Sequence, residues 1–418
     1  MSLALAPRFP AMTQQSAKPV GLSMDGILVV AYAALLPIQI EVVVDFRVAP
    51  ADLCVLLAAL LLAVRLRYRT KAWSFWHVGI LLTFAVGSFL AILASGGLSR
   101  YLFVNKDLGL LLLFLTYMVI TSAITEWKQV RLVLQVFVWS VVLQNLVGIA
   151  EFLIFYFFGV DTYFTAYGNR RFAGMLIDPN AYGGLLILAL LLCEATSRGP
   201  KALVRGWWLA FCRVTLGLGI LLSFSRTAWV SLAIAWLFLL LLLPTRISVA
   251  IRAVLAGAAA LILGMLLAGD RFVLYFREMA LRPESGRVRG ELMKKALSHF
   301  AHNPVWGGGL GNFIETEGTI VHNTPLWFLA DFGLIGLVMF VGFMAWFVIK
   351  AWDARRLAPY SEKIVVQALL IGHIAMLSLG MGIEAFYQRH WWLVMALIAS
   401  SYHIATRRKY PIARALSA

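Results

Sequence analysis

Long apolar runs alternate with short, mostly basic segments along nearly the whole chain. The runs fall at about 26–44, 50–64, 75–95, 108–124, 132–158, 180–195, 207–222, 227–243, 253–268, 324–349, 364–383 and 391–405. Most have the roughly 17–25 residues that a helix needs to cross a bilayer, not the alternating segments of about 10 that a barrel would show. The pattern predicts an all-α, polytopic protein with about 12 transmembrane helices. Its second span is short and its fifth long, which implies tilt or an interfacial extension. One polar interruption, 269–323, is much longer than the rest. The expected organisation is a tail over 1–25, nine spans within 26–268, a loop over 269–323, three spans within 324–405 and a basic tail over 406–418.

Composition agrees with the pattern. Hydrophobic residues make up 61% of the chain and its mean hydropathy is +0.85, well above the roughly 45–50% apolar content of soluble domains. Cys54, Cys193 and Cys212 lie in or beside apolar runs, too scattered for a disulfide framework or a zinc site. The first apolar run is too long for the core of a cleavable signal, so no processing is expected.

The net charge of +16 could suggest a nucleic-acid partner, but its distribution says otherwise. Alternating the spans puts 22 basic residues on one face: those of the two tails and of the segments around Arg65–Lys71, Lys128, Lys201, Arg246 and Lys350–Lys363. The short loops of the opposite face hold 7, namely Arg47, Arg100, Lys106, Arg170, Arg171, Arg226 and Arg389. Basic residues collect in cytoplasmic loops, and long loops count little in that comparison. Both termini are therefore expected to be cytoplasmic and the loop 269–323 to face outward. Neither a nucleotide-binding loop nor a nucleic-acid partner is expected.

The outward segments hold the candidate chemistry. Ser223-Phe224-Ser225-Arg226-Thr227 separates two apolar runs with almost no loop, which puts Arg226 at the hydrocarbon edge. It could simply snorkel to the interface, but the flanking hydroxyls can bond exposed helix ends and keep the guanidinium turned inward. Asp178-Pro179-Asn180 reads as an ordinary helix start, with aspartate as cap and proline in the first turn. Arg170 and Arg171 before it are either loop contacts or an anion clamp. In the long loop, Ser285 to about Phe300 reads as a helix with an apolar stripe of Met293, Ala296, Leu297 and Phe300. Arg289 can lie along that stripe, while Arg287, Lys294 and Lys295 form a solvated face. Gly307-Gly308-Gly309-Leu310-Gly311 is read as architecture rather than a phosphate cradle. His322 stands at the lip of the next apolar run, as either a capping residue or a base that is neutral near pH 7. His373 and His403 are lone intramembrane histidines, read as packing residues or proton relays. No zinc-ligand spacing is visible. Glu41 and Asp45, the best carboxylate pair at an outward turn, do not make a metal site on their own.

In order along the chain, these segments resemble the O-antigen ligase / O-antigen polymerase family of bacterial polytopic glycosyltransferases. The resemblance spans roughly 165–345. It rests on Arg171-Phe172-Ala173-Gly174, Asp178-Pro179-Asn180, Ser223 to Thr227, Asn303-Pro304-Val305-Trp306 with the glycine turn, His322-Asn323 and Asp331-Phe332-Gly333-Leu334-Ile335-Gly336. The family implies a fold resembling the GT-C glycosyltransferase superfamily and a place in the bacterial inner membrane. It also implies transfer of a glycan from undecaprenyl diphosphate at the periplasmic face without metal or other cofactor. The expected partners are that lipid-linked glycan, the lipid A–core oligosaccharide and membrane lipids. The family's functional residues map onto Arg226, Arg289 and His322, with Arg171 less directly; Asn323, Arg170 and Arg389 are further substrate-binding candidates. The short basic tail favours a ligase or a polymerase over a protein-glycosylating member. The rival from another class is a transporter or lipid flippase, but charges along a full transmembrane path are missing.

Overall fold

The computed structural model describes residues 22–43, 46–68, 72–95, 102–160, 171–176, 178–197, 199–243, 274, 277–278 and 283–409. Within them the chain is a helical bundle with one small hairpin. In order it runs α1 (Met24–Leu35), β1 (Ile40–Val43), β2 (Phe46–Val48), α2 (Pro50–Val64) and α3 (Phe75–Ser95). A π-helical turn, Phe103–Leu108, then opens α4 (Gly109–Ala123), followed by α5 (Trp127–Phe158), a short 3-10 turn (Gly174–Leu176), α6 (Pro179–Thr196), α7 (Trp207–Leu222) and α8 (Arg226–Leu242). The long loop contributes α9 (Pro283–His302) and α10 (Asn312–Glu317). The chain closes with α11 (Thr324–Leu357), α12 (Tyr360–Gly380) and α13 (Arg389–Lys409).

Helices occupy every expected span except that at 253–268, which lies outside the described residues. Six of them are long and apolar enough to cross a membrane, while α1, α2, α7 and α8 are shorter apolar helices. The chain is a multi-pass membrane protein. The first span departs from expectation. It was to continue to 44, but α1 ends at Leu35 and the chain turns into the antiparallel β1–β2 hairpin. Pro37 cannot extend the helix, and the valine-rich stretch that follows it prefers an extended backbone. Asp45 and the side chain of Glu41 lie outside the described residues.

The buried centre is built on α6, of which every residue is buried. Helices α5, α7, α8 and α12 pack against it, and α12 and α13 pack in turn on α11. The described ion pairs respect the two faces that the span alternation predicts. Arg65–Asp25, Arg131–Glu362, Lys201–Glu362 and Arg213–Glu194 join residues of one face. Lys106–Glu384 and Arg389–Asp52 join residues of the other. Carboxylates that bring their own cations avoid much of the cost of lone charges near hydrocarbon.

Which face is outward is testable. In a chain whose three native cysteines have been replaced, single cysteines at 280–320 are expected to react with an impermeant thiol reagent in intact spheroplasts. Cysteines at 65–68 and 355–360 are expected to react only after lysis. Labelling of 355–360 in intact spheroplasts would invert the topology.

Candidate functional site

Three motifs that are far apart in sequence form the frame of one site. At its base, Asp178 caps α6 by accepting from the Asn180 backbone N–H (3.0 Å), with Pro179 in the first turn, as the sequence suggested. The Asn180 side-chain oxygen then accepts from Ser225 Oγ (2.8 Å) and from Arg171 Nη2 (3.2 Å). Arg171 Nε donates to the Ser223 carbonyl (3.0 Å). Ser225 caps α8 through the Ala228 N–H. The turn between α7 and α8 is thus fixed from both sides, with Phe224 at φ 48°. Arg226 is the first residue of α8, half-buried beside this lattice.

The loop helix α9 brings Arg289 to the same place. Arg289 Nη1 donates to Thr227 Oγ1 at 3.1 Å. Burial lowers the proton affinity of Arg289, the neighbouring charge of Arg226 lowers it further, and Asp178 works in the opposite sense. Two guanidinium groups close enough to repel, with one carboxylate in range, form a cationic patch suited to a polyanion. Helix α9 extends slightly beyond the expected limits, and its inward stripe keeps Ala296 of the expected one but not Met293 or Leu297. Leu292 and Ala296 are buried, whereas Met293 and Leu297 are exposed. Arg289 still shares the inward side, since three- and four-residue steps from it reach Leu292 and Ala296. Arg287, Lys294 and Lys295 are exposed, as expected.

His322 completes the site. It sits in the left-handed region at φ 55°, one residue before Asn323, which caps α11 through the Leu326 N–H (2.9 Å). Asn323 Nδ2 donates to the Met381 carbonyl (2.8 Å), and Thr324 Oγ1 donates to the Ile383 carbonyl (2.8 Å) and accepts from the Ala385 N–H. These bonds tie the His322 backbone to the turn between α12 and α13, and explain how a conformation unfavourable for a side-chain-bearing residue persists. The same turn touches the arginine side: a Cβ on Gly382 would come within 2.4 Å of Thr227. Burial first, then the charge of Arg289, hold His322 below the ordinary histidine range, with Asp178 and Glu384 partly offsetting them. At neutral pH the imidazole is therefore neutral and can accept a proton.

The glycine turn is architecture. Gly309 N–H donates to the Asp331 carbonyl (2.9 Å), while the Asp331 carboxylate accepts from the N–H groups of Gly311 (2.9 Å) and Phe313 (3.1 Å). Residues 304–305 supply carbonyls to Leu334 and Ile335, where α11 is interrupted at Gly333 (φ 64°). A Cβ on Gly307 would lie 2.4 Å from the Asp331 backbone, so glycine is required there. The two motifs interlock and set the height at which α9 and His322 are presented.

The other candidates fall elsewhere. Arg389 forms a two-pronged ion pair with Asp52 of α2 (2.8 and 2.6 Å), and the Asn323 side chain is engaged by backbone. Arg170 lies outside the described residues. His373 is a packing residue, held between Trp391 Nε1 and the Met344 carbonyl. Sequence reasoning missed Thr227 as a partner of Arg289, the electrostatic part of Asp178, and the Lys106–Glu384 pair beside His322. Lys106 lies in the π-helical turn, 4.7 Å over the Trp327 ring and 4.9 Å over Tyr387. Only the proximity of Thr227 to Arg226 was visible in the sequence.

A search of the curated proteins found no match to this chain. The O-antigen ligase family model matches residues 211–341, from α7 through the loop into α11. The stretch that carries Arg226, Arg289 and His322 is therefore similar to the O-antigen ligase family.

Proposed function

We propose that the protein is an O-antigen ligase. In this reading it transfers a glycan from undecaprenyl diphosphate to the lipid A–core oligosaccharide at the periplasmic face of the inner membrane. The observation that carries the reading is the convergence of Arg226, Arg289 and a neutral His322 within the stretch that the family model matches. The acceptor hydroxyl attacks the anomeric carbon as the bond from that carbon to the diphosphate oxygen breaks, and the configuration inverts. The hydroxyl proton passes to His322. The departing lipid diphosphate keeps the bonding electrons, and Arg226 and Arg289 stabilise the charge that develops on it. Arg171, anchored on Asn180 and Ser223, assists at the same wall. Always-charged, fork-shaped donors meet the electrostatic need that a metal ion meets in other transferases.

A polymerase could use the same residues, so the acceptor decides between the two. A strain lacking the gene is expected to make lipid A–core without attached O-antigen while finished glycan accumulates on its lipid carrier. Lipopolysaccharide carrying a single repeat would replace the ligase reading with the polymerase one.

A further inference from the structure

Helix α12 has the proposed transfer site beyond its C-terminal end and a cationic cavity at its start, about 30 Å away at 1.5 Å per residue. That cavity, of about 490 Å³, is lined by Lys128 and Arg131 of α5, Lys201 of the α6–α7 segment, Glu362 of α12 and Arg407 of α13. Glu362 is buried and takes both Arg131 and Lys201 on one carboxylate oxygen. Exposed Glu126 is the other acid on the lining. Four cations against two carboxylates leave the cavity net positive, and the N-terminal ends of α5 and α12 add their partial positive charge. Trp127 supplies a further observation. It lines the cavity and is only 5% exposed, and its indole N–H has no acceptor among the described residues. A buried indole donor calls for an acceptor oxygen.

We propose that this cavity is a phosphate-binding site, and that the headgroup of an anionic phospholipid in the leaflet opposite the transfer site occupies it. Its position at helix ends, with a tryptophan among basic residues, matches the depth of lipid phosphates. A glycerophosphate diester offers unesterified oxygens to Trp127 and the cations while its acyl chains remain between the helices. This site does not depend on the transfer reading.

Native mass spectrometry of the purified protein tests it, with phosphatidylglycerol, phosphatidylethanolamine and inorganic phosphate added separately. Phosphatidylglycerol is expected to be retained over phosphatidylethanolamine, and Lys128→Gln/Arg407→Gln to weaken it by roughly tenfold or more. Trp127→Phe, which keeps the ring and removes the donor, is expected to weaken it several-fold and serves if the double variant fails to fold. Inorganic phosphate that binds wild type but not Trp127→Phe, with no preference among lipids, would support the site and assign it to the free anion. Equal phosphatidylglycerol retention by wild type and the folded variants would overturn the proposal.

Discussion

Arg226→Lys and Arg289→Lys are each expected to lower glycan transfer by about 10- to 100-fold at matched expression, although both keep the positive charge. A charge-assisted hydrogen bond contributes roughly 1.5–3 kcal/mol, and lysine offers one point donor where arginine offers a planar fork. The geometry sharpens the expectation for Arg289. Its Nη1 is already placed by Thr227, so the rest of the guanidinium is oriented before substrate arrives, and a lysine could not hold Thr227 and grip a diphosphate in the same way. Transfer by both lysine variants at the wild-type rate would reduce these residues to interfacial anchors.

His322→Ala is expected to cost about 100- to 10,000-fold in transfer, the range over which a positioned general base acts. The sign of the pH dependence follows from the surroundings. Burial and Arg289 depress the proton affinity of His322, so the active neutral form persists to lower pH than for a free imidazole. The acid limb of kcat/KM in wild type should therefore fall below the usual histidine pKa of about 6.5. In Asp178→Asn, which removes a charge that raises the pKa and keeps a good helix cap, that limb should move still lower. An His322→Ala protein with full activity and an unchanged limb would return the residue to a packing role at the start of α11.

The apolar pattern showed the helices well because a membrane demands them. With no water to satisfy backbone groups, a long apolar run has little choice but to coil. The β1–β2 hairpin escaped because Val42 and Val43 are apolar in either conformation, so hydropathy alone does not tell a strand from a helix there. The α9 stripe was legible only in part: Ala296 is buried as expected, but Leu292 joins it in place of the equally apolar Met293 and Leu297. Only the packing of α9 on α11 chooses between the two faces. Arg226, Arg289 and His322 were legible as two cations and a histidine at the ends of apolar runs or in the long loop, helped by the family resemblance, and the structure brings Arg289 near both of the others. Glu384 and Lys106 pair across 278 positions, and a single sequence does not show such contacts. Asp178 was legible as a cap, and the cap is real. Its influence on Arg289 and His322 is a second consequence of the same placement.

The most direct test is a reconstituted transfer assay. Purified protein receives undecaprenyl-diphosphate-linked glycan and lipid A–core, with a chelator present. The account predicts glycan-bearing lipid A–core and released undecaprenyl diphosphate, with both products lost in His322→Ala. Lengthened glycan on the lipid carrier with lipid A–core untouched, or movement of the donor across a vesicle membrane with no glycosidic bond formed, would contradict it.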